Sequence, residues 1–158
     1  MKYLIVISGP TAVGKTKVAI DIALHYKTEI ISADSRQFYK EIPIGTAAPT
    51  FAELQTVGHH CIGNLHITDY YNAFKFEQDA LHILDAIFLK NDYAILCGGS
   101  GMYIDAVCNG IDDIPDIDIH IRETVTNQYA TEGIESLRRT LLKLDPEYYN
   151  RVDLKNPA

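Results

Sequence analysis

The sequence predicts an α/β fold built on a parallel sheet, and three observations carry that prediction. Tyr3-Leu4-Ile5-Val6-Ile7 is an unbroken apolar run rich in β-branched residues, the texture of a parallel strand buried on both faces. A stretch with helical spacing follows and then a second apolar run, so that strand, helix and strand succeed one another within residues 3–33. Between the first strand and the helix lies a glycine-bearing turn, Gly9 to Thr16.

Each element has its own justification. From Lys17 to Tyr26 the apolar positions Val18, Ala19, Ile22 and Ala23 recur at helical spacing. Glu29-Ile30-Ile31-Ser32-Ala33 reads as the second strand and ends at Asp34. Pro43, Gly45, Pro49 and Gly58 break any period over residues 40–70, so loops are expected there, with one short helix near Phe51 to Val57. Asn72 fits the N-cap of a helix from Ala73 to Lys90, with Phe76, Ala80, Ile83, Leu84, Ile87 and Phe88 on one face. Phe74 is also expected in the core. Tyr93 to Cys97 forms the third strand, and Gly98-Gly99-Ser100-Gly101 opens a further helix. After Gly110, Asp112, Asp113, Asp116 and Asp118 alternate with Ile and Pro as in an exposed acidic linker. Two helices are expected beyond it, over 118–130 and 133–144, the second stopped by Asp145-Pro146. The domain organisation is therefore an α/β core over 1–114 and the start of a helical subdomain over 115–158.

Composition narrows the class. The 158 residues are 47% hydrophobic and 22% charged, which fits a globular domain and excludes disorder and fibres. The early apolar run is too short for a signal segment or a membrane span, so neither membrane nor secretion is expected. Cys61, Cys97 and Cys108 are odd in number and lack CxxC spacing, which points to a reducing cytoplasm and to three small buried hydrophobes. Residues 1–121 carry 8 Lys+Arg and 15 Asp+Glu, a net of −7, while residues 122–158 carry 6 of each and balance. That balance shows no basic footprint for nucleic acid, so such a partner has to be argued from particular residues. His59-His60 is a poor metal pair, because adjacent side chains on an extended segment point to opposite faces. Tyr148-Tyr149 reads as packing in the helical subdomain, and Arg138-Arg139 as a phosphate contact or a solvated helix face.

The chemistry begins at Gly9-Pro10-Thr11-Ala12-Val13-Gly14-Lys15-Thr16, which fits the phosphate-loop pattern G-x-x-x-x-G-K-[ST] after a strand and before a helix. Glycines let several N–H groups converge on one anion, and the helix that follows turns its positive end to the same point. Lys15 adds a mobile charge, and the Thr16 hydroxyl is suited to Mg²⁺. A phosphate or diphosphate is expected here, ATP among the options. Asp34 closes a strand expected beside the phosphate-loop strand, where a carboxylate can serve as general base, hold a metal or cap the following segment. The third strand ends in Cys97-Gly98-Gly99, not in the Mg²⁺-holding carboxylate usual in nucleotide hydrolases, and no arginine cluster marks a phosphoryl-transfer lid.

Taken in order, Gly9–Thr16, Asp34-Ser35-Arg36-Gln37-Phe38-Tyr39, Ile44-Gly45-Thr46-Ala47 and Gly98-Gly99-Ser100-Gly101-Met102-Tyr103 resemble the tRNA dimethylallyltransferase (tRNA isopentenyltransferase) family over the whole chain. Leu144-Asp145-Pro146 and Arg151 to Pro157 resemble that family's insertion region. The resemblance implies a P-loop NTPase-like parallel-sheet core with the start of a helical insertion. It implies transfer of a dimethylallyl group from dimethylallyl diphosphate to N6 of an adenosine beside the tRNA anticodon. Asp34 matches the general base, with Lys15 and Ser100 also in the catalytic set; Gly9, Pro10, Thr11, Ala12, Val13, Gly14, Lys15 and Thr16 match the diphosphate loop, and Thr16 the Mg²⁺ ligand. Asp34, Ser35, Arg36, Gln37, Ser100 and Arg122 match tRNA-contacting positions. Ser100 stands where the family usually has threonine, and Ala48 where it commonly has lysine. Family members run to about twice this length. The resemblance therefore implies an N-terminal portion that lacks a basic tRNA-binding stretch, later strands and a further diphosphate-holding arginine, and so has an exposed sheet edge. The full-length protein is expected to be a monomer. Three other readings stand beside it: an isopentenyltransferase acting on free adenine nucleotides, a P-loop kinase of a small metabolite with Asp34 as base, and a binding-only module that keeps the diphosphate loop without turnover.

Overall fold

The computed structural model describes residues 1–111 and 117–156, with Ile119 described by its backbone alone. The chain separates into two compact units, Met1–Asp113 and Ile114–Ala158. The expected boundary at 114/115 and the acidic residues Asp112, Asp113 and Asp116 lie outside the described residues.

The first unit is a four-stranded, wholly parallel sheet in the order β1-β4-β2-β3. Its strands are β1 (Tyr3–Ser8), β2 (Ile30–Ser32), β3 (His59–His60) and β4 (Tyr93–Gly98). Helices α1 (Lys15–Tyr26), α2 (Phe51–Thr56), α3 (Ala73–Phe88) and α4 (Gly101–Asn109) connect and cover them. Alternation along the strands sorts side chains to two faces. Ile30, Ile95 and Cys97 meet Ala19, Ile20 and Ala23 of α1, while Ile31, Leu96 and Ala94 meet Phe76, Ala80, Leu84 and Ile87 of α3.

Several expectations change here. β1 packs on both faces, Leu4 toward α3 and Ile5 and Ile7 toward α1, but only to half-burial; among the described residues it pairs with β4 alone, and Val6 is 40% exposed. α1 begins two residues early and inserts Ile20, while Val18, expected on its buried face, lies exposed. His59-His60 forms the short strand β3, and His60 Nε2 stands 2.5 Å from Glu29 Oε2. α3 stops at Phe88; Ile83 and Phe88 are half-buried against the cluster that holds the fully buried Phe76, and Phe74 is half-buried as well. Asn72 caps it as expected, its Oδ1 accepting from Lys75 N–H. α2 is fixed by a reciprocal cap between Thr50 and Glu53, which holds the Glu53 carboxyl below its ordinary range. Cys61 and Cys97 are buried, but Cys108 faces solvent from α4, so burial of all three cysteines does not hold.

The second unit consists of α5 (Ile119–Glu132), α6 (Ile134–Leu144) and α7 (Pro146–Tyr149). Pro146 does more than stop α6: at the first turn of α7 its missing N–H costs nothing, and Asp145 caps the turn through Tyr148 N–H. Tyr148 is half-exposed, while Tyr149 is partly buried. Arg138 is held inward, donating from Nε and Nη2 to Leu154 O at 2.8 and 2.6 Å and pairing with Glu135. No helix among the described residues is long and apolar enough to cross a membrane.

Candidate active site

All strands being parallel, the loops that leave their C-terminal ends gather at one edge of the sheet. β4 lies between β1 and β2, so Asp34 does not follow a strand directly beside the phosphate-loop strand; one strand intervenes. The gap is closed by Gly98 and Gly99. A Cβ on Gly98 would lie 2.1 Å from Ala33 O, and one on Gly99 would lie 3.3 Å from Gly9 O. The glycine pair therefore lets the end of β4 press on the end of β2 and on the phosphate loop together.

The loop itself wraps the end of α1. Gly14 is its N-cap at φ 95°, a left-handed conformation that favours glycine. Ala12 also adopts positive φ, at 67°. No side chain caps α1 and no acidic residue sits in its first turn, so its leading N–H groups remain available to an anion. Lys15 Nζ lies across the loop and donates to Pro10 O at 2.6 Å.

Two adjoining cavities meet this edge. The smaller, of about 220 Å³, is lined by Thr11, Ala12, Gly14, Lys15, Thr16, Asp34, Gln37, Thr46, Ala47, Cys97 and Gly98. The larger, of about 530 Å³, is lined by Pro10, Thr11, Asp34, Ser35, Arg36, Gly45, Thr46, Gly99 and Ser100. Asp34 belongs to both. Its Oδ1 accepts Arg36 N–H at 3.1 Å, and Oδ2 accepts no hydrogen bond among the described residues. Ser35 N–H donates to Ser100 Oγ at 2.9 Å, and the Ser100 hydroxyl is 3.1 Å from Ser35 Oγ, which ties β4's loop to β2's. Burial pushes the Cys97 thiol up, Asp34 adds to that, and Lys15 opposes it.

The structure thus brings Lys15, Thr16, Asp34, Ser35, Arg36, Gln37 and Ser100 together at the sheet edge. Gln37 faces the smaller cavity and not the larger. Arg122 belongs to α5 of the second unit. Sequence reasoning gave no site role to Cys97, or to Thr46 and Ala47; the Gly-Thr-Ala stretch is visible in the sequence, but its sharing of one cavity with the phosphate loop is not. Ala48 is half-buried in that loop, and Lys15 is the only cation lining the smaller cavity among the described residues.

Fold and site together define a P-loop-type α/β protein with two adjoining cavities that share Thr11, Thr46 and one carboxylate, Asp34. The IPP transferase family model matches residues 37–158, and the chain belongs to that family. It is 51% identical over 157 residues to tRNA dimethylallyltransferase 1 of Bacteroides thetaiotaomicron, covering 99% of this chain and 51% of the relative. It is 49% identical over 157 residues to tRNA dimethylallyltransferase of Flavobacterium johnsoniae, with 99% and 51% covered. The structure superposes on the full-length tRNA isopentenylpyrophosphate transferase of Bacillus halodurans with a TM-score of 0.69 at 30% identity, over 99% of this chain and 52% of that one. A eukaryotic dimethylallyltransferase acting on tRNA gives a TM-score of 0.79 at 25% identity, over 99% and 39%. The chain spans about half the length of the curated relatives it matches.

Proposed function

We propose that this chain carries the donor site and the catalytic base of a tRNA prenyltransferase, which moves a dimethylallyl group from its diphosphate to N6 of an adenosine beside the anticodon. The observation that carries this reading is the position of Asp34, a lining residue of both the phosphate cavity and the wider one. The diphosphate occupies the smaller cavity, against the first turn of α1 and Lys15. The adenosine, turned out of its stack so that the amine can be reached, enters the larger one beside Ser35, Arg36 and Ser100.

In the reaction, the N6 nitrogen forms a bond to the allylic carbon as that carbon's bond to the diphosphate oxygen breaks. The electron pair leaves with the diphosphate. Asp34 Oδ2 takes the proton that the amine sheds. Lys15 and the helix end stabilise charge on the departing group. The Thr16 hydroxyl and the oxygens of the diphosphate itself offer hard donors in one cavity, leaving Asp34 to act as base, and no cluster of three or more His, Cys, Asp or Glu exists among the described residues. That donor set fits Mg²⁺ arriving with the diphosphate, where it would neutralise charge on the leaving group. Arg122 contributes on the tRNA side, and the protein works in the reducing cytoplasm.

Asp34→Asn tests the base. It keeps the oxygen that accepts Arg36 N–H but cannot accept the proton. In the full-length protein bearing this sequence, transfer of labelled dimethylallyl to unmodified tRNA should fall by about 10²–10⁴, with affinity for dimethylallyl diphosphate nearly unchanged. Equal losses in transfer and donor binding would refute the assignment.

A further inference from the structure

Besides the P-loop, Thr46 and Ala47 line the phosphate cavity, from a loop of turns that belongs to no helix or strand. Within residues 42–48 the hydrogen bonds are mostly local: Thr46 Oγ1 donates to the Ile42 and Pro43 carbonyls, Ala47 N–H to Ile44 O, and Ala48 N–H to Pro43 O. The Gln37 side chain ties this loop to the sheet. Gln37 Nε2 donates to Thr46 O at 3.2 Å and to Ala47 O at 3.3 Å. Gln37 Oε1 accepts from the Ser32 hydroxyl at 2.9 Å, and Ser32, on β2, is only 4% exposed.

The chemistry of the groups permits one arrangement. The two loop carbonyls can only accept, so the amide must turn its NH₂ toward them and its oxygen toward β2. There Ser32 supplies the donor. Both amide hydrogens are then committed to the loop, which leaves Gln37 no donor to offer a nucleobase.

We propose that Ser32 and Gln37 form a clasp that positions the Thr46–Ala47 wall over the diphosphate, Ser32 acting as a positioning residue through the orientation of the Gln37 amide. This deepens the prenyltransferase reading and rests on it for the identity of the ligand. It assigns Gln37 to shaping the donor cavity in place of reading the adenosine.

The test uses Ser32→Ala, which removes the donor with little change of shape, and Gln37→Met, which removes the amide at similar volume. In Ser32→Ala, hydrogen exchange at the Ala47 and Ala48 amides should rise without ligand present, and inorganic diphosphate and dimethylallyl diphosphate should each bind about tenfold more weakly. Placed in a Gln37→Met background, Ser32→Ala should add nothing, because its effect runs through the amide. Exchange and affinity within twofold of the parent, or an undiminished Ser32→Ala effect in the Gln37→Met background, would overturn the clasp. Should the parent bind neither diphosphate, the prenyltransferase reading fails, and the ligand-free exchange result still decides the clasp by itself.

Discussion

Gly98→Ala places a methyl group where the fold has none to spare. The new carbon would lie 2.1 Å from Ala33 O, 2.3 Å from its carbonyl carbon and 2.8 Å from its Cα, all backbone atoms, whereas ordinary contact begins near 3.4 Å. β2 and β4 must therefore part by roughly 1 Å, since no flexible side chain can give way. Two hydrogen bonds span that junction, Ala33 N–H to Cys97 O at 2.8 Å and Ser100 N–H to Ala33 O at 3.2 Å. Overpacking of this kind costs about 1–3 kcal/mol, and each strained hydrogen bond about 0.5–1.5, for a total of about 2–6 kcal/mol. That is a large fraction of the stability of a typical domain, about 5–15 kcal/mol. Urea unfolding followed by circular dichroism should show a lowered midpoint at an unchanged slope. Gly99→Ala is the internal control: its carbon meets Gly9 O at 3.3 Å, so a shift of a few tenths of an ångström suffices and the loss should stay below about 1 kcal/mol. A Gly98→Ala midpoint within error of the parent would refute the close-approach argument.

Further outcomes follow from the same structure. Phe38 is fully buried with ring centroids 5.0 Å from Tyr71, 5.5 Å from Phe76 and 5.6 Å from Tyr103, so Phe38→Ala should cost about 3–5 kcal/mol in the same urea assay. Alkylation at pH 8 followed by mass spectrometry should label exposed Cys108 well before buried Cys61 and Cys97, because burial raises both inner thiols and leaves less thiolate. Burial pushes Cys61 from 9.0 up to about 12, so its share of stability is complete below pH 9 and is lost as pH rises through that window. Melts of a Cys61→Ala variant should accordingly show less loss between pH 9 and pH 11 than the parent.

Much of this architecture was legible in the residues because the signals were local. Glycine spacing with Lys15 and Thr16 marked the phosphate loop, and apolar period marked α3, since both depend on residues a few positions apart. What escaped was set by the sheet order. Asp34 looks set beside the phosphate-loop strand, yet β4, coming ninety residues later, inserts between β1 and β2. Phe38, a centre of the core, sits in a turn where no period points to it. The Ser32–Gln37 bond joins a strand to a turn five residues on, and nothing in either residue type announces it. The Gly98–Ala33 contact likewise exists only once β2 and β4 are neighbours.

The proposed function requires the P-loop to take a prenyl diphosphate in preference to a nucleotide. Calorimetric titration of the chain with dimethylallyl diphosphate and Mg²⁺, set against ATP and Mg²⁺, tests it most directly. Saturable binding of the prenyl diphosphate is expected, lost in Lys15→Ala, with ATP at least tenfold weaker, a gap of about 1.4 kcal/mol. Tighter binding of ATP would contradict it and return the site to a phosphoryl-transfer enzyme.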